Sequence, residues 1–94
     1  VGLDPKRATF RSNLGFAHQS AGKLAEAQAD YEQAIKLDPQ LASAWINLAT
    51  VLSKEKATRK RARDALETAK KLDPSDPRVK ANLEELNDLE KKSP

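Results

Sequence analysis

Apolar side chains recur along this chain in short bursts at helical spacing, each broken by glycine or by Asp-Pro. Phe10, Leu14, Ala17 and Ala21 make a first stripe, which Gly22 interrupts. Ala27, Tyr31, Ala34 and Ile35 make a second, closed by Asp38-Pro39. Trp45, Leu48, Ala49 and Leu52 supply a third, and Ala62, Leu66, Ala69 and Leu72 a fourth. Asp76-Pro77 then opens a helix with Val79, Leu83, Leu86 and Leu89 on one side and charged residues over much of the rest. The pattern predicts an all-α chain of about five antiparallel helices.

The helices come in repeated pairs. Leu3-Asp4-Pro5, Leu37-Asp38-Pro39 and Leu72-Asp73-Pro74 are one tripeptide, spaced by 34 and then 35 residues. An Asn-Leu pair follows each: Asn13-Leu14, Asn47-Leu48 and Asn82-Leu83. Aligned on the prolines, Ala27, Tyr31, Ala34 and Leu37 correspond to Ala62, Leu66, Ala69 and Leu72, so the extra residue falls between Leu48 and Ala62. The second turn lacks glycine, and Thr58 is expected to cap the next helix by accepting from a free N–H. Each Asp-Pro is expected to close one helix and to stand in the first turn of the next. No single stripe can hide itself. Pairs with small residues at contact points, such as Gly15, Ala27 and Ala49, can approach closely and stack, which is the logic of a helical solenoid. The expected division is one domain over 1–94, with units at about 6–39 and 40–74. A capping helix follows at about 76–91, one apolar face inward and no second half after it.

Composition narrows the function classes. Ninety-four residues with 38% hydrophobic and 4% aromatic content suit one small helical domain. No apolar run is long enough to span a membrane. The absence of cysteine removes disulfides, thiolate catalysis and Cys-ligated zinc. A start at Val1, without methionine or a signal-peptide pattern, reads as a piece of a longer protein. The net charge of +3 is unevenly spread: Lys54 to Asp64 holds six basic and two acidic residues. That run (Lys54, Lys56, Arg59, Lys60, Arg61, Arg63) reads first as a solvated helix start. A contact for acidic protein or anionic lipid ranks second. Nucleic acid ranks third, because no aromatic is interleaved to stack a base. One histidine, His18, has no second histidine or cysteine to share a metal. No glycine-rich phosphate loop and no nucleophile–base–orienter set is visible. The chain is read as no enzyme and as needing no cofactor.

The period and the residues that keep it resemble the tetratricopeptide repeat, whose pattern is W-x2-L-G-x2-Y, A-x3-F, then alanine and proline. The first unit has Leu14, Gly15, Gly22, Ala27, Tyr31, Ala34 and Pro39 at those places, but Arg11 at the tryptophan place and His18 at the first tyrosine place. The second has Trp45, Leu48, Ala62, Leu66, Ala69 and Pro74, with Ala49 for glycine and Leu52 for tyrosine. The resemblance implies an α-α superhelix and a protein-interaction scaffold, whose first helices line a concave groove for a peptide or a partner's helix. By register that groove would show Thr9, Ser12, Asn13, Phe16, Ser43, Ile46, Asn47, Thr50, Arg78, Asn82 and Glu85. The carboxylate clamp of chaperone-binding members fits only at Asn47 and Arg78, since Ser12, Phe16 and Asn82 stand at its other places. Asn13, Asn47 and Asn82 resemble instead the asparagine ladder of O-linked N-acetylglucosamine transferases. There, side-chain amides pair with a peptide backbone whatever its sequence. Asparagines that merely face water, inherited from a duplicated ancestor, are the plainer alternative.

Within that register Trp45 is expected to pack, and His18 to be a partly buried ring in the tyrosine place. Phe16 is either an anchor for a partner or an edge residue covered by a neighbouring repeat. The expected function is peptide or protein binding in the groove through Asn13, Asn47, Asn82, Phe16, Ser12, Ile46, Thr50 and Arg78. Adjacent repeats or domains of the parent chain, or weak self-association, would cover the outer face of the first helix. A reading from another class is an accessory domain that presents substrates to an enzyme such as a glycosyltransferase.

Overall fold

The computed structural model describes residues 3–92. Five helices follow in order: α1 (Pro5–Ser20), α2 (Leu24–Leu37), α3 (Ala42–Leu52), α4 (Arg59–Leu72) and α5 (Pro77–Lys92), with a 3-10 turn at Lys56–Thr58 before α4. There is no strand among the described residues. The molecule measures 44 × 29 × 20 Å, and its smallest dimension is about two helix diameters, as a two-layer stack requires. The chain is thus an all-α stack of helix pairs.

Each boundary has a local cause. Asp4 caps α1 by accepting from the Arg7 N–H at 3.2 Å, with Pro5 at the first helical position. Gly22 ends it at φ +80°, where the Gly22 and Lys23 N–H groups bond the Gln19 and His18 carbonyls. This is a Schellman arrangement, and glycine alone enters it without strain. The Asp4 N–H also donates to the Leu37 carbonyl at 2.9 Å, which joins the start of α1 to the end of α2.

Two punctuation marks work differently from expectation. Pro5 and Pro77 open helices, but Pro39 and Pro74 lie in turns, because Asp38 and Asp73 first cap the helices before them. Asp38 accepts from the Gln40 N–H and Asp73 from the Ser75 hydroxyl, so each aspartate shapes its own turn. Thr58 stands at the start of α4 yet accepts no capping bond. Its hydroxyl instead donates to the Leu52 and Glu55 carbonyls and ties the turn to the end of α3.

Packing begins at Gly15. A Cβ there would lie 2.8 Å from Tyr31 Cε1, so the bare backbone lets α1 and α2 close on each other. Tyr31 and Ala27 continue into a core with Leu48, Ala49, Val51, Leu52, Ala62, Ala65, Leu66 and Leu86. Ile46, Ala69 and Val79 form a second cluster, and Trp45 and Leu83 touch both. Trp45 packs as expected, and its Nε1–H donates to the Pro39 carbonyl at 2.8 Å.

The first stripe does not behave as expected. The buried face of α1 is Ala8, Ser12 and Gly15. Phe10 is 70% exposed, while Ala17 and Ala21 are also exposed. Repeat register supplies the reason. Phe10, Leu14 and Ala17 correspond to Ala44, Leu48 and Val51 of α3, and to Val79, Leu83 and Leu86 of α5. On α3 and α5 that face meets the preceding helix pair; α1 has no such pair before it among the described residues. Leu72, at the end of α4, is likewise exposed rather than buried. On α5 the places of Trp45, Ala49 and Leu52 are taken by Lys80, Glu84 and Asn87, so the face that would receive a second helix is dressed for water.

Candidate functional site

The first helices of the units, α1, α3 and α5, carry the expected groove residues, and the structure divides them. Asn13 is exposed on α1, while Asn47 and Asn82 are half-buried on α3 and α5. The Asn82 amide donates to the Thr50 hydroxyl at 3.4 Å, and that hydroxyl donates to the Ile46 carbonyl at 3.1 Å. Thr50 and Asn82 line a recess of about 30 Å³ with Ser53, Lys54, Glu85 and the apolar floor of Ala49 and Leu66. The recess is polar and roomy enough to admit water. In the first unit the place of Thr50 is Phe16, which is 57% exposed and has no oxygen to offer Asn47.

Two expected groove residues do not face a ligand. Ser12 is 5% exposed and Ile46 is 1% exposed. They occupy the same register place, and that place points between helices rather than out of the face. Ile46 packs there on Ala69 and Val79. A small hydroxyl at Ser12 suggested solvent, but its size lets the position close.

Arg78 is exposed, but its guanidinium is held. Asp76 accepts from Arg78 Nη2 at 2.8 Å, from Nε at 3.2 Å and from the backbone N–H at 2.9 Å. The side-chain bond leads in holding the Asp76 carboxyl below its usual range and the Arg78 guanidinium above its own. Arg78 therefore secures the start of α5.

The basic run does not form one patch. Arg59 Nε donates to the Ser53 carbonyl at 3.3 Å. Arg61 pairs with Glu32 at 3.0 Å and ties α4 to α2, while Arg63 pairs with Glu90 at 2.9 Å and bonds Asn87, tying α4 to α5. Burial would raise the Glu32 carboxyl, but the bonds from Arg61 and Gln28 outweigh it and leave it lowered. Lys54, Lys56 and Lys60 stay exposed. The arginines lie along a helix whose positions rotate by about 100° per residue, so a cluster in sequence spreads around the axis and reaches different neighbours.

Sequence reasoning missed a polar cluster under α1. His18 Nδ1 lies 2.6 Å from Asp30 Oδ2, and Asp30 is buried. Arg11 Nε lies 3.7 Å from Asp30 Oδ1 and is itself buried without a hydrogen-bond partner. The departures at Arg11 and His18 from the repeat pattern were the available signal, since both converge on one carboxylate. Among the described residues no group of three or more histidine, cysteine, aspartate or glutamate side chains could hold a metal ion. Among those residues no helix is long and apolar enough to cross a membrane.

Residues 20–55, which take in α2 and α3, match a family model described as TPR repeat. No curated protein matches the chain.

Proposed function

From the premise that the chain is built on the tetratricopeptide repeat, a unit that generally mediates protein–protein interaction, we propose that it binds a peptide or partner segment along the face shared by α1, α3 and α5. The reading rests on one observation above others: asparagine stands at the same register on all three helices, with Phe16, 57% exposed, three residues after the first of them. An amide presents a donor and an acceptor together, so each rung can satisfy one peptide unit. Phe16 supplies an apolar contact between rungs, and Thr50 supplies a hydroxyl in the equivalent place one unit later. Ser12 and Ile46 support this face from behind. Repeat domains of this kind are typically non-catalytic.

The test is the triple variant Asn13→Ala, Asn47→Ala, Asn82→Ala. Peptides selected from a displayed random library against the chain are titrated calorimetrically into both proteins. Three neutral hydrogen-bonding rungs at about 1 kcal/mol each predict a loss of roughly 100-fold in affinity. The thermal midpoint should stay within a few degrees, since no rung belongs to the core. Unchanged affinity, or no peptide enriched at all, would remove this reading.

A further inference from the structure

A second face of the molecule carries an unanswered interface. On α3, Leu48 and Val51 are buried in one cluster with Ala27 and Tyr31 of α2. On α5 the same register places Val79 against Ala69 of α4, and Leu86 in the cluster that holds Leu66. Twice, then, this stripe is covered by a helix. On α1 the stripe is Phe10, Leu14 and Ala17, and its largest member is the most exposed large hydrophobic residue described.

The surroundings of Phe10 differ from those of its counterparts in charge. Lys6, Arg7 and Arg11 edge an open cavity of about 350 Å³ beside Phe10, together with Gln33 and Leu37 of α2. The corresponding places before and along α3 hold Gln40, Leu41 and Trp45, all uncharged. Helix α1 contains no carboxylate. Arg7 pairs with Asp4 at 3.9 Å and Arg11 with Asp30 at 3.7 Å, ion pairs too long to be hydrogen bonds. Arg61, Arg63 and Arg78 pair at 2.8 to 3.0 Å.

We propose that this face docks an acidic amphipathic helix of a protein partner. Its apolar side lies on Phe10, Leu14 and Ala17, and its carboxylates meet Lys6, Arg7 and Arg11. The occupant is a helix because the same stripe is closed by a helix on α3 and on α5. It is acidic because the rim sets three cations, Lys6, Arg7 and Arg11, against two loosely paired carboxylates, Asp4 and Asp30, and α1 itself has none. A second copy pairing through the same face would set cations against cations. One helix covers less than a standard interface, so affinity is on the order of micromolar.

The probe is a synthetic three-heptad helix with leucine on one face and glutamate elsewhere, beside a version with lysine in place of glutamate. Each is titrated into isotope-labelled chain and followed by amide shifts. The glutamate helix should shift α1, and Phe10→Ser or the pair Lys6→Glu, Arg7→Glu should each weaken it at least ~10-fold. Phe10→Ser keeps its fold, because the ring is mostly outside. The triple asparagine variant should bind the probe unchanged, which separates this face from the groove. Equal binding of the lysine helix, shifts confined to another face, or no shift up to about 1 mM would overturn the proposal. So would binding of a single-stranded oligothymidine or of phosphatidylserine vesicles that Phe10→Ser abolishes while the glutamate helix stays inert. A concentration-dependent dimer that Phe10→Ser dissolves in sedimentation would assign the face to a second copy instead.

Discussion

Tyr31 concentrates the chemistry of the first helix pair in one side chain. Its ring fills the space that Gly15 leaves, and its hydroxyl donates to Gln19 Oε1 at 2.7 Å. Burial, and after it the negative charge of Asp30, pushes the phenol up to about 12 from 10.0. A folded-state value above the unfolded one means that the native state holds the proton more tightly. The associated stability is fully present below pH 10 and is lost as pH rises toward 12. With the side chain fully buried, the loss is about 2–3 kcal/mol. Urea unfolding from pH 9 upward should therefore show a steeper alkaline decline in the parent than in Tyr31→Phe. The variant itself should lose about 1 kcal/mol at neutral pH with the Gln19 bond. Equal alkaline slopes would contradict this account. The glycine and the aromatic were legible in sequence because close approach needs a small residue opposite a large one. Ser12 was not legible, since the same polar residue suits a wet face and a tight seam. Nor was the His18–Asp30 pair, because residues twelve apart meet only once the rotation of two helices is fixed.

At the scale of elements, periodicity located all five helices but could not say which face of α1 is used. Two faces of that helix are apolar enough to serve, Ala8–Ser12–Gly15 and Phe10–Leu14–Ala17, and hydrophobicity favours the one that the fold leaves open. The extra residue of the second unit was placed correctly in its turn, where α3 ends at Leu52 and a 3-10 turn leads into Arg59. What sequence could not show is that this basic stretch serves as stitching. Arg61 and Arg63 fasten α4 to α2 and to α5, so part of the charge that suggested a partner is paired within the molecule, while Lys54, Lys56 and Lys60 stay exposed. Helix α5 is held by Val79, Leu83 and Leu86 below, by the Asn82 bond to Thr50, and by Arg63, which meets Glu90 and Asn87 at its side. Leu86→Ala should cost about 2–4 kcal/mol. Its first sign should be fast amide hydrogen exchange along α5 while α1 and α2 remain protected. Uniform loss of protection over all five helices would show instead that the stack melts as one unit.

Over the whole molecule the two ends are unlike. The α5 end bears Lys80, Glu84 and Asn87 where α3 bears Trp45, Ala49 and Leu52, and the α1 end bears an open Phe10. Restoring the inner pattern with Lys80→Trp and Asn87→Leu should make the last helix adhesive. Sedimentation should then show association that rises with concentration, whereas a strictly monomeric variant would mean that the polar dressing is incidental. The polar outer face of α5 was legible because Lys80, Glu84 and Asn87 stand where α3 carries Trp45, Ala49 and Leu52. The groove was legible only in part, since register names the positions on a face but not which of them the neighbouring unit will close. The difference between the ends also gives the stack a direction. An apolar face at one end invites a neighbour and a polar face at the other suits water, so the stack is polarised along its length.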